Sequence, residues 1–134
     1  MLLRPKKTKF NKMHKGRHLC LAKRNQVVLV GKYALVAQEA SYLKDKQISA
    51  LELTLKRVFK SKGTFKFRVF PHLARTRKPA EVRMGKGKGA VSNWVAYFKT
   101  GSLVLEVNSS SSALAKHALQ VVQTKLPFRT KLIF

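Results

Sequence analysis

The sequence predicts an α+β fold, an antiparallel or mixed sheet with two packed helices, on three observations. Ile48, Leu51, Leu55, Val58 and Phe59 recur at helical spacing, which places one apolar stripe against a core. Leu114, Ala118, Leu119 and Val122 repeat that pattern near the C-terminus. Between them "TFKFRVF" alternates Phe65, Phe67 and Val69 with Lys66 and Arg68, the period of a strand with one buried face. A chain of 134 residues with 45% hydrophobic content supports one ordinary core, so we read a basic arm over residues 1–24 and a single α+β domain over 25–134.

The elements follow in order. "QVVLVG" and "YALVAQ", separated by Gly31 and Lys32, are expected to be two short strands joined tightly. Asp45 is a cap for the first helix, whose outer face carries Lys44, Lys46, Lys56, Arg57 and Lys60, and Gly63 suits its C-terminal stop. Pro71 ends the "TFKFRVF" strand. From His72 to Gly89 no apolar periodicity survives, so a projecting loop is expected over 72–91. "NWVAYF" and "LVLEV", with a turn at Thr100, Gly101 and Ser102, read as a hairpin. "NSSSS" offers caps for the second helix, which is expected to end near Leu126 and Pro127, and "FRTKLIF" reads as a last edge strand.

Charge bounds the function. Twenty-nine Lys and Arg against 5 Asp and Glu give a formal +24, a self-repulsion that a polyanion would relieve. Nucleic acid is the expected class, since neutralising phosphates releases condensed counterions. Nine of the cations fall in residues 1–24, which hold no acid: Arg4, Lys6, Lys7, Lys9, Lys12, Lys15, Arg17, Lys23 and Arg24. A solvated tail would look the same, but Leu2, Leu3, Phe10, Met13 and Leu19 interrupt the cations, as in an arm that orders on its partner. No apolar run reaches the roughly 18 residues of a spanning helix, so membrane insertion is not expected. The N-terminus lacks the apolar core of a secretion signal.

An enzyme is not expected, and neither is a cofactor. Glu39, Asp45, Glu52, Glu81 and Glu106 are scattered without a motif and read as local partners of Lys or Arg. His14, His18, His72, His117 and the lone Cys20 have no metal-site spacing. The aromatics Trp94, Tyr97 and Phe98 read as core, beside Phe65, Phe67 and Val69, in preference to a base-stacking platform.

The densest signal is "RMGKGKG", Arg83 to Gly89. A Walker loop fails because Ala90 follows Gly89, and the dinucleotide fingerprint fails because a strand-like run follows in place of a helix. What remains is bare backbone at Gly85, Gly87 and Gly89 for close approach, with Lys86 and Lys88 carrying charge outward. Arg83 adds a bidentate fork and Met84 an adaptable apolar contact. A flexible linker is the plain alternative.

"RPKKTKFNKMHKGR" (Arg4 to Arg17) and "RMGKGKGAVSNW" (Arg83 to Trp94) resemble the two most recognisable segments of the bacterial-type large-subunit ribosomal protein sixteen family. "RVFP", "KPAEVRMG" and "KLPFRT" resemble it in the same order, so the likeness runs over nearly the whole chain. Lys66 stands where the family usually has Trp, and "HLCLAKRNQVV" has little of the family's glycine. The resemblance implies a hammerhead α+β fold and a structural component of the large subunit. It implies binding to rRNA near the central protuberance and the aminoacyl-tRNA site, with a part in late assembly. The implied partners are large-subunit rRNA, aminoacyl-site tRNA and neighbouring ribosomal proteins, without homo-oligomerisation. The implied contacts are Arg4, Lys6, Lys7, Lys9, Lys12, Lys15 and Arg17 in the arm, and Arg83, Met84, Gly85, Lys86, Gly87, Lys88 and Gly89 in the loop. Arg75, Arg77 and Lys78 join them on charge alone. Drift from the common pattern favours a mitochondrial ribosome, with plastid stroma and bacterial cytoplasm the family's other homes. A sequence-independent nucleic-acid chaperone or compacting protein is the competing reading.

Overall fold

The computed structural model describes residues 3–14, 16, 21–23, 27–85 and 87–134. Among them the order is β1 (Tyr33–Ala37), β2 (Ser41–Lys44), α1 (Asp45–Phe59), β3 (Gly63–Phe67), β4 (Leu73–Arg77), β5 (Ala90–Phe98), β6 (Leu103–Ser109), α2 (Ser112–Thr124) and β7 (Thr130–Ile133). The α+β class is as expected. There are two antiparallel sheets where one was anticipated: β3-β6-β1-β7 and β2-β5-β4.

The helices form where the apolar stripes lie. Ile48, Leu51, Leu55 and Phe59 are buried along α1, and Ala115, Ala118, Leu119 and Val122 along α2. The small residues of α2 let the two helices approach each other while both pack on the sheets. Leu35, Leu43, Ala96, Phe98, Leu105 and Val107 complete one core shared by both sheets. Ser111 caps α2 by accepting the Leu114 N–H, which satisfies one of the first-turn donors. The "FRTKLIF" strand is β7, at the edge of the four-stranded sheet.

Several expectations are corrected. Of the expected tight pair "YALVAQ" forms, as β1, but residues 27–32 form no strand; in its place is a segment whose backbone amides turn onto a carboxylate, described below. β5 and β6 are not a hairpin, because they belong to different sheets. The turn between them instead carries the chain from one sheet to the other, with the Gly101 N–H donating to Ala37 O at 2.7 Å. Asp45 is the first helical residue and not the cap: it accepts the Lys46 N–H, while the Gln47 side chain accepts the Lys44 N–H. α1 ends at Lys60, whose φ is +52°, and Gly63 opens β3 because any Cβ there would meet the Phe59 ring at 2.6 Å. α2 stops at Thr124, ahead of Leu126. Finally, β4 occupies 73–77 and β5 begins at Ala90, so the connecting loop is 78–89 and shorter than the expected 72–91. Leu73–Arg77 lacks apolar alternation because it is an edge strand held by ladder bonds to β5.

Candidate nucleic-acid interface

The arm, the three-stranded sheet and the 78–89 loop converge at one end of the molecule. The arm has no helix or strand over its described residues, since its closely spaced cations repel one another. Leu3 nevertheless packs against the core and anchors it. Leu3, Arg4, Thr8 and Lys12 then line a shallow groove with Lys46 and Ser49 of α1 and Trp94 of β5. Arg4, Lys6, Lys7, Lys9 and Lys12 are exposed; Lys15 and Arg17 lie outside the described residues. Among the described residues of 1–24, Leu3 is half-buried against the domain and Ala22 is buried, its N–H donating to Thr100 O at 2.9 Å, while Phe10 is 67% exposed with the Lys9 ammonium 5.6 Å from its ring centre. Leu2 and Leu19 are outside the described residues.

The loop is tied to the arm in both directions. Lys12 Nζ donates to Lys88 O at 2.7 Å, and Lys88 Nζ donates to Met13 O. Each ammonium thereby satisfies a carbonyl of the other segment, which holds two like-charged stretches side by side against their repulsion. At its base the loop is fixed by contact: a Cβ on Gly89 would lie 2.5 Å from Arg77 O and 2.7 Å from its carbonyl carbon, so only glycine allows β4 and the start of β5 to come this close. At its tip nothing crowds it. Gly85 and Gly87 have φ of +96° and +79° with open space around each, and Met84 is 98% exposed. Arg83 and Lys88 are also exposed, and Lys86 lies outside the described residues.

Arg75 and Arg77 project from edge strand β4 and are exposed. Lys78 differs from the expectation: it is half-buried, and its Nζ donates to Gly85 O, bracing the loop. The sequence reading missed Tyr42 and Lys44 on β2, a strand it did not anticipate. Tyr42 pairs across the sheet with Tyr97, ring centres 5.3 Å apart. The alternation of Tyr42 and Lys44 was the available signal, too short to separate from the helix that follows. Tyr97 is therefore on the opposite face from Phe98, whose ring meets Phe128 at 4.6 Å in the core, while Phe65 stacks on Phe59. Trp94 is half-buried under the arm.

The carboxylates are mostly spent locally. Glu52 meets Lys56 at 2.8 Å, Glu39 meets Arg129 at 3.6 Å and Glu106 meets Arg68 at 3.3 Å. Glu106 is 1% exposed and also accepts the N–H groups of Leu29, Val30 and Gly31. Burial pushes its carboxyl upward, but those three amides and the Arg68 guanidinium prevail and hold it below its ordinary value. Among the described residues no cluster of His, Cys, Asp or Glu is arranged to hold a metal, and no helix is long and apolar enough to cross a membrane.

The cationic arm is thus braced against a glycine-rich basic loop, and comparison with known proteins supplies the context. The model of the family described as ribosomal protein L16p/L10e matches residues 5–133. The chain belongs to that family. Among its relatives, the large ribosomal subunit protein uL16 of Acholeplasma laidlawii is 40% identical, over 98% of this chain and 96% of the relative. Those of Thermosipho melanesiensis and Psychrobacter arcticus are 41% and 43% identical over 98% of this chain, covering 93% and 96% of their own lengths. L16p/L10e membership makes the chain a structural constituent of the large ribosomal subunit and not an enzyme. These relatives are bacterial, and nothing in them favours the mitochondrial ribosome that the drift in sequence suggested.

Proposed function

We propose that this chain binds large-subunit rRNA through its arm and presents its loop to rRNA and aminoacyl-site tRNA, supporting translation and the late assembly of the subunit. The arm contribution comes from Arg4, Lys6, Lys7, Lys9 and Lys12, with Lys15 and Arg17 continuing it. Arg75 and Arg77 extend the same surface along β4, while Lys78 acts by holding the loop. Arg83, Met84 and Lys86 form the contacting tip, Gly85 and Gly87 its bare backbone, and Lys88 and Gly89 its hinge to the arm and sheet. Neighbouring large-subunit proteins complete the environment. The bacterial relatives favour a ribosome of the bacterial cytoplasm.

The observation that carries this reading is the contrast within the loop. Its backbone is held by Gly89 and Lys88 at the base and by Lys78 at the Gly85 carbonyl, while the side chains of Arg83 and Met84 are exposed, Met84 almost fully, and a Cβ on Gly85 would meet nothing. A linker has no reason to have its backbone braced and its side chains left bare, whereas a segment that must fit among nucleotides has both.

The test uses Arg83→Glu with Lys86→Glu, leaving Lys88 and its arm contact alone. Large subunits carrying this variant are expected to retain the protein through a salt wash as wild type does, because the arm still binds, yet to accommodate aminoacyl-tRNA more slowly by about tenfold. Unchanged accommodation would make the loop a linker. Loss of the wild-type protein from subunits at modest salt would favour the sequence-independent binder, whose affinity rests on phosphate contacts alone.

A further inference from the structure

The outer face of the three-stranded sheet carries a cavity of about 290 Å³ that none of the contacts above occupies. Its floor is set by strand register. Val95 pairs with Lys44 on one side and Leu73 on the other, and side chains at alternate positions share a face. Tyr42, Val95, Leu73 and Arg75 therefore lie on the face opposite core residues Leu43, Ala96 and Phe98. One wall is Met13 of the arm, and the rim is closed by Lys88 of the loop and by Arg75. The reciprocal Lys12 and Lys88 contacts join the arm and loop residues that line it.

We propose that this cavity is a socket for one nucleobase extruded from RNA, stacked on the Tyr42 side of the floor with its phosphate held by Arg75 and Lys88. The proposal rests on the RNA-binding reading above and assigns it a base-recognising pocket. Three features select this occupant. The lining has no carboxylate and includes the cations Arg75 and Lys88, which suits an anion attached to an apolar body. The floor combines one aromatic ring with aliphatic side chains, the surface on which unstacked bases rest. The volume lies at the small end of ligand pockets, about 300 to 1,000 Å³, which fits a single base and excludes a run of peptide side chains.

The experiment is a binding titration of the full chain with labelled hexa-adenylate RNA and with an abasic strand of the same length and charge, in the same buffer. The wild-type chain is expected to prefer the base-bearing strand by about tenfold, the scale of one base stacked on an aromatic side chain. Leu73→Trp, which fills the cavity, and Tyr42→Leu, which removes the ring and keeps an apolar side chain, should each abolish that preference while leaving abasic affinity unchanged. Whichever variant keeps the wild-type unfolding temperature decides. Equal wild-type binding of the two strands would overturn the socket and leave phosphate binding standing, as would a preference that survives in the folded variant. Failure to bind either strand would remove the RNA reading itself, and the socket with it.

Discussion

Glu106 shows how one residue replaces an element. A carboxylate at the centre of a buried strand costs several kcal/mol unless it is fully paired, and here three successive backbone amides and Arg68 pair it. Those amides are thereby withdrawn from any ladder, which is why residues 27–31 form no strand despite their β-branched composition. Side-chain propensity is visible in the letters; the demand of a distant buried carboxylate is not, because 75 to 77 residues separate the partners. Gly31 belongs to the same device, since a Cβ there would sit 2.6 Å from Val107 O. Glu106→Gln should lower unfolding free energy by about 1–3 kcal/mol, the cost of leaving buried donors and Arg68 poorly matched, measurable by denaturant titration. The pH dependence has a fixed sign. A carboxyl held below its ordinary value of 4.5 in the fold contributes stability that is complete above that value and lost as pH falls through the depressed one. Protection of the Val30 and Gly31 amides, taken relative to intrinsic exchange at each pH, should therefore fall in the wild type as pH drops through the depressed value, and be low and insensitive to that titration in the Gln variant. Slow exchange in the variant would contradict the assignment.

Among the elements, both helices were legible because burial on a helix repeats every three to four residues and needs no knowledge of partners. Ile48, Leu51, Leu55 and Phe59 are buried as read. Strand existence was legible where alternation ran long, as in Phe65 and Phe67. Strand pairing was not. β5 and β6 are adjacent in sequence and joined by a four-residue turn, yet each pairs elsewhere, β5 with β2 and β4, β6 with β3 and β1. Adjacency predicts a hairpin only when the two strands lack better partners, and a short edge strand such as Leu73–Arg77 leaves no apolar pattern to announce itself. The β4–β5 junction gives the element-scale prediction. Gly89→Ala would drive a Cβ into the Arg77 carbonyl, so it should destabilise the chain by about 1–3 kcal/mol and loosen the loop base. Thermal unfolding and proteolysis within 78–89 should both report it. A variant with wild-type stability and wild-type cleavage would mean that the close approach is not needed.

At the scale of the whole molecule, +24 of formal charge is carried by a fold that pairs most of its few acids away from the arm and loop tip. The charge was legible at once, and so were the arm and loop as candidate contacts. What could not be read is that they meet: reciprocal lysine-to-carbonyl bonds over 75 and 76 positions leave no mark in spacing or composition. Family membership fixes the particle in which this happens, the large ribosomal subunit. The physical claim joined to it is that arm and loop act as one cationic grip whose surplus charge rRNA neutralises. The most direct measurement is a density map of the large subunit carrying this chain. Nucleotides are expected to pack around Arg83 to Gly89, with arm cations Arg4 to Lys12 within hydrogen-bonding distance of phosphate oxygens. A loop tip standing in solvent, or an arm lying apart from RNA on the assembled particle, would contradict it.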